Sequence, residues 1–256
     1  MFIIKKLIKF PIFKRLIPSI GIRLLKLLNK NRGYFNINGI KMYLDFLDPL
    51  DRKLILNKSY EAEETQTLID LVNKYSSQYF VDVGANSGYY SIELLKKNLK
   101  VLAFEPNLEA LFKLNKTLDA NNYLKDKIRV FPFGLSNKNS KLLMRSKIKF
   151  GYIQPGGSKV TNSINEKNCK TYNANFKIGD EVLNFKNKNL AIKIDVEGHE
   201  INVLNGMINT LRSNKCILLI EIFEENFQQI NTFLLKNNFT IISKIEKRFN
   251  YFYQNF

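Results

Sequence analysis

The sequence predicts an open α/β fold, and three observations carry that reading. Between Tyr79 and Asn107 the chain runs apolar segment, glycine turn, amphipathic segment and second apolar segment, closed by the acid Glu105. Two later runs, Leu190–Asp195 and Cys216–Ile222, are nearly continuously apolar, as strands covered on both faces are. Segments with helical stripes alternate with these runs, and that alternation builds a parallel sheet with helices packed on it.

Taken in order, Asn36 to Phe46 alternates apolar and polar residues around Asn38-Gly39, which predicts a hairpin. Glu61 to Lys74 carries the stripe Leu68, Leu71, Val72 and places Glu61, Glu63 and Glu64 at the positive end of a helix. Phe80–Val83 is the first core strand, and Ser91–Lys97 continues a helix that begins near Gly88. Val101–Glu105 is the second strand. Leu108–Asn121 is a helix with Leu111, Leu114 and Leu118 inward, and Ile128–Phe133 is the third strand. Lys141–Arg145 and Phe150–Ile153 read as extra strands. Gln154 to Asn175 is rich in Asn, Ser and Gly and reads as a long substrate loop. Leu190–Asp195 is strand four, Glu200–Arg212 a helix, Cys216–Ile222 strand five and Phe227–Lys236 a helix. Thr240–Ile245 and Phe249–Tyr253 close the sheet. No internal repeat occurs.

The glycine turn decides what the sheet would bind. Ligands of open α/β sheets sit at the carboxyl ends of the strands. The turn reads Gly84-Ala85-Asn86-Ser87-Gly88. It lacks the middle glycine of the dinucleotide fingerprint G-x-G-x-x-G, which lets a pyrophosphate approach. Asp82 adds a negative charge suited to a cation. S-adenosylmethionine, with a sulfonium, an ammonium and one carboxylate, fits better than a dinucleotide. Glu105 stands where an acid accepts hydrogen bonds from ribose hydroxyls. Asp82, Gly84, Ala85, Asn86, Gly88 and Glu105 are therefore the candidate cofactor contacts. A nicotinamide-dependent oxidoreductase and a non-catalytic nucleoside-binding module are the competing readings.

A second signature, LAIKIDVEGHE at Leu190 to Glu200, is followed by Ile201, Val203, Leu204 and Gly206. Together, VDVGANSGYYS, FEPN and IKIDVEGHEINVLNG resemble the FkbM family of S-adenosylmethionine-dependent methyltransferases, over roughly residues 60–239. The linking segments FGLSNKNSKL, at Phe133–Leu142, and FKIGDEVL, at Phe176–Leu183, fit as well. The resemblance implies a Rossmann-like class I methyltransferase fold: a mostly parallel seven-stranded sheet with an antiparallel edge hairpin and helices on both faces. It implies O-methylation of a hydroxyl on a sugar, glycan or related metabolite. It adds Pro106 and Ser136 to the cofactor contacts and suggests that Tyr60-Glu61 reaches the cofactor. His199 departs from it, standing where a small residue is usual.

The chemistry at the methyl acceptor needs a base or an orienting acid, because a sugar hydroxyl is a poor nucleophile at neutral pH. Asp195 ends strand four, Glu197 follows in the turn, and Glu221 is an acid within the strand-five run. These three are the catalytic candidates. Helix capping is the plainer reading of Asp195 and Glu197, and pairing with Lys193 that of Glu221. His199 titrates near neutrality and is a weaker candidate. The three acids would also suit a hard cation, but their spacing is not diagnostic and no metal is assigned.

Length and composition fit one globular domain with an extension: 256 residues, 45% of them hydrophobic. The expected division is 1–58, a basic amphipathic extension with a small ribbon, and 59–256, the methyltransferase domain. Cys169 and Cys216 lack ligand spacing, which argues against zinc and a disulfide framework. The net charge of +17 arises from lysines spread along the chain, so it does not single out nucleic acid. The N-terminal segment has Ile20, Leu24, Leu27 and Leu28 on one helical face and Arg23, Lys26 and Lys30 on another. That pattern suits an anionic membrane surface, or packing on the domain or a second subunit. Charges interrupt every apolar run, so neither a transmembrane span nor a signal peptide is expected. A cytoplasmic protein is expected, peripheral at the inner membrane face if this segment meets the membrane rather than packing on the domain or a second subunit.

Overall fold

The alternating apolar runs form a seven-stranded sheet in a computed structural model that describes residues 31–149, 152–164, 166–245 and 248–256. The amphipathic segment expected to meet a membrane lies outside the described residues. No helix among the described residues is long and apolar enough to cross a membrane.

Chain order begins with the hairpin β1 (Arg32–Ile37) and β2 (Ile40–Asp45), turning at Asn38-Gly39 as expected. Helix α1 (Pro49–Asn57) follows and was not foreseen, although Asp48 caps it through the Leu50 amide (2.9 Å) and Pro49 opens it. Helix α2 (Ala62–Lys74), β3 (Tyr79–Val83), α3 (Tyr89–Leu95), β4 (Lys100–Phe104), α4 (Leu108–Asp119) and β5 (Ile128–Phe131) then alternate. After an inserted sheet come β10 (Asn189–Ile194) and two helical pieces, Glu200–Gly206 and Ile208–Arg212, where one helix was expected. The chain ends with β11 (Lys215–Glu221), a helix at Glu224–Lys236, β12 (Thr240–Lys244) and β13 (Asn250–Gln254).

The main sheet runs β12-β13-β11-β10-β3-β4-β5. The five strands from β11 to β5 are parallel, and β13 runs antiparallel between β11 and β12. This is the expected edge hairpin. Side chains of successive strand residues point to opposite faces. Phe80, Ala191 and Ile217 accordingly pack with α2, α3 and α4 on one face. Val81, Ile192 and Leu218 pack with Val203, Leu211 and Leu234 on the other. The first core also takes in Ile37, Met42, Leu44 and Leu54 from the hairpin and α1.

The expected long loop between Gln154 and Asn175 is largely sheet. Strands β6 (Gly134–Ser136), β7 (Ser140–Lys149), β8 (Tyr152–Val160) and β9 (Cys169–Ile178) form a second sheet, ordered β6-β9-β7-β8. Strands β7, β8 and β9 pair antiparallel while β6 runs parallel to β9, and antiparallel strands with one wet face need apolar residues at alternate positions only. Met144, Ala174 and Phe176 supply that small core, and the Asn, Ser and Lys residues between them gave the segment its loop-like composition.

Candidate active site

The carboxyl ends of β3, β4, β10 and β11 open into a cavity of about 270 Å³. That is close to the lower end of small-molecule clefts, about 300–1,000 Å³. The glycine turn leaves β3 with Gly84, Asn86 and Gly88 all at positive φ (87°, 51° and 87°). It is docked on β4: the Gly84 and Ala85 amides both donate to the Phe104 carbonyl (2.9 and 3.1 Å). Glu105 then takes the Asn86 amide on one oxygen and the Asn107 amide on the other, each at 2.8 Å. Burial pushes its carboxyl up to about 7, against those two amides.

Asp82, Gly84, Ala85, Asn86, Glu105 and Pro106 all line the cavity. Gly88 and Ser136 do not. A Cβ on Gly88 would meet Leu114 Cδ1 at 2.4 Å, so this glycine serves the packing of α3 on α4. The Ser136 hydroxyl is 2.9 Å from His199 Nε2. Gly84 faces the cavity, yet its constraint comes from the sheet: a Cβ there would lie 1.9 Å from the Asp195 carbonyl oxygen. A side chain at Gly84 therefore disturbs the β3–β10 ends before it obstructs a ligand.

Lys193 is the electrostatic hub. It is register-paired with Asp82 and buried, and its Nζ donates to Asp195 Oδ2 at 2.7 Å. Burial alone would lower this ammonium; Asp195, Asp82 and Glu61 outweigh it and hold it charged. Its ion-pair partner is thus Asp195, not Glu221 as the sequence suggested. Asp82 accepts the Ser91 hydroxyl at 2.6 Å, and burial raises its carboxyl despite Lys193. Glu61 adopts positive φ (44°) and accepts the Tyr90 hydroxyl at 2.9 Å.

Asp195, Glu197 and Glu221 converge, each offering an oxygen within 4.8 Å of the others'. Neither Asp195 nor Glu197 caps the helix that starts at Glu200, which has no side-chain cap; Glu200 itself accepts the Gly198 amide of the preceding turn at 2.8 Å. Burial works against ionised Asp195, but Lys193 and a hydrogen bond with Glu221 bring its carboxyl below the usual range. Glu221 moves the opposite way, raised by burial and by the Asp195 charge. Glu197 sits at φ 54°, and burial, Asp195 and Glu200 raise it to about 7 against Lys147 and Lys159. Of the ten non-glycine residues at positive φ among the described residues, Asn86 and Glu197 line this cavity and Glu61 lies at its edge. Burial lowers His199. Its Nδ1 lies 3.2 Å from Asn202 Nδ2 and its Nε2 2.9 Å from Ser136 Oγ, contacts that a ring protonated on Nε2 alone would satisfy.

The second sheet closes one side of the cavity with Gln154, Pro155, Gly156, Gly157 and Ser158 of β8. Asn107 pins it there, donating to Ser158 Oγ (3.0 Å) and Tyr172 Oη (2.8 Å). Sequence pattern marks this stretch as a substrate loop but not as a sheet wall, because the contacts that pin it span more than fifty residues. Tyr60, Tyr89 and Tyr90 complete it; of these, only Tyr60 was marked in advance.

An open, mostly parallel sheet with a glycine turn, a following strand-end acid and a cavity between them defines a Rossmann-like class of fold. Within that class the chain belongs to the family described as the Methyltransferase FkbM domain, whose model matches residues 82–241. This overturns the oxidoreductase reading. The chain is 28% identical over 140 residues to hexuronic acid methyltransferase AglP of Haloferax volcanii, covering 54% of this chain and 53% of that protein. It spans about half the length of this curated relative. The fold matches a crystal structure of methyltransferase FkbM from Methylobacillus flagellatus KT with a TM-score of 0.50 at 16% identity. That match covers 70% of this chain and 43% of the other.

Proposed function

We propose that this chain is an S-adenosylmethionine-dependent O-methyltransferase acting on a hydroxyl of a sugar or glycan. The observation that supports it most is the meeting of Asp195, Glu197 and Glu221 on the cavity that also holds the glycine turn and Glu105. The hexuronic acid specificity of the curated relative supports a sugar acceptor.

The residues of the turn fit the cofactor. Asp82 Oδ1, Asn86 Oδ1 and Ser87 Oγ are buried and lack a hydrogen-bond partner, and all three residues line the cavity. Such groups call for a ligand that brings donors, as ammonium and hydroxyl groups do. Each Glu105 oxygen already holds one amide and keeps a second acceptor site, one for each ribose hydroxyl. Asp82, Gly84, Ala85, Asn86, Glu105 and Pro106 would hold the cofactor, which supplies an electrophilic methyl group when bound.

The acids would handle the acceptor. Transfer requires the acceptor oxygen to be held in line and its proton removed. Glu197, poised at about 7, is matched to that proton at neutral pH. Asp195, kept ionised by Lys193, orients the hydroxyl by accepting its hydrogen bond. Glu221 retains its proton and braces Asp195. Three convergent carboxylates also suit a hard cation. Here the Lys193 ammonium already supplies the compensating charge, and no metal is assigned.

Calorimetric titration with S-adenosylmethionine tests the cofactor half of this reading. Glu105→Ala is expected to weaken binding by about 1.5–3 kcal/mol, the scale of hydrogen bonds to a charged group. Unchanged affinity in a folded variant would remove Glu105 from the site.

A further inference from the structure

A second cleft, about 540 Å³, adjoins the cavity and shares Lys53, Tyr60 and Glu221 with it. Glu221 thus stands in the wall between two chambers. One carries the glycine turn and Glu105, the features suited to a nucleoside. The other has none of these, and its lining is of a different kind. Phe249 is 44% exposed, with its ring edge-on to Phe223 at 5.7 Å between centroids. It offers a flat apolar face at the rim, and Asn57, Ser59 and Asn250 add neutral polar groups.

Two cations border this second chamber. Lys53 Nζ lies 5.5 Å from the Tyr60 ring centroid, and no carboxylate among the described residues lies within ion-pair distance of it. Arg248 uses one nitrogen on Glu64 (2.5 Å) and leaves 47% of its side chain open. The acids of the chamber are engaged elsewhere. Glu61 holds the Tyr90 hydroxyl, and Glu221 shares its hydrogen bond with Asp195. An aromatic face, neutral hydroxyl and amide groups and accessible cations together suit a polyhydroxylated ring bearing an anionic group.

Resting on the methyl-transfer reading above, we infer that the second cleft is the acceptor site and takes a sugar with a carboxylate substituent. Phe249 supports the ring, Lys53 and Arg248 meet the carboxylate, and the hydroxyl to be methylated reaches the other chamber past Glu221. Lys53 and Phe249 are positioned by different elements, α1 and the loop before β13, so their contributions can be separated.

The experiment is equilibrium binding of a glucuronic-acid-terminated disaccharide and of its carboxyl-reduced counterpart to the full chain, alongside S-adenosylmethionine titration. The intact chain is expected to prefer the acidic sugar. Phe249→Ala should weaken both sugars about tenfold or more, and Lys53→Met should abolish the preference, with circular dichroism unchanged. Equal affinity for the two sugars in the intact chain would overturn the inference. So would unaltered sugar binding in both folded variants. Sugar binding with the expected variant losses, but without cofactor binding, would uphold the cleft and sink the methyl-transfer reading instead.

Discussion

Glu197→Gln is expected to reduce turnover on the true acceptor by about 10²–10⁴-fold, the usual contribution of a positioned base. The expectation rests on three features of one side chain. It lines the cavity, its oxygen lies within 4.8 Å of carboxylate oxygens of Asp195 and Glu221, and its carboxyl is raised to about 7. A base acts when deprotonated, so kcat/KM of the intact enzyme should rise with pH through about 7 and then level. Measured at saturating cofactor, so that titration of Glu105 does not enter, the variant should lose that limb. Glutamine cannot accept the proton but keeps the side chain's volume, so cofactor affinity should change little. An acidic limb that survives in Glu197→Gln, with turnover intact, would transfer the role to Asp195 or to positioning alone.

Lys113→Met is expected to cost about 3–5 kcal/mol of stability, the scale of stranding buried charges by removing their partner. Lys113 and its partners Asp48 and Asp51 are each about 1% exposed, at 3.0 and 2.6 Å. The triad joins α4 to the start of α1, and Asp51 also holds the Asp45 amide at 2.9 Å. Chemical denaturation of both proteins at neutral pH measures the loss. The loss should shrink as pH falls, because protonation removes the stranded carboxylate charge, and burial already raises Asp51. A loss under about 1 kcal/mol at neutral pH would show that water reaches this triad. Asp48 and Leu50 also line the cavity, so this region supports the site as well as the fold.

Much of the fold was legible because the main sheet is covered on both faces. Continuous runs such as Ile217–Ile220 are too short for a buried helix and read as strands covered on both faces. Gly84, Glu105 and Asp195 were legible because each marks the end of a strand, where ligands bind. What escaped the sequence did so for local physical reasons. Strands β8 and β9 carry so few apolar residues that their composition resembles a loop. Helix α1 is short, and its signal lay in two residues, Asp48 and Pro49. Lys193 looked like a partner for Glu221 on the adjacent strand; its ammonium instead reaches Asp195, two residues along its own strand. The family resemblance marks Ser136 as a pocket residue, yet its hydroxyl turns to His199, a contact 63 residues away. Gly88 has the spacing of a ligand-binding glycine and serves a leucine on the next helix.

Transfer of label from methyl-labelled S-adenosylmethionine to a hexuronic-acid-bearing glycan, with the product located by mass spectrometry, tests the central claim most directly. The account predicts a labelled methyl ether on a sugar hydroxyl, formed by the intact chain and nearly lost in Glu197→Gln. Cofactor binding without transfer to any hydroxyl of that glycan would contradict it and leave a nucleoside-binding module of the same fold.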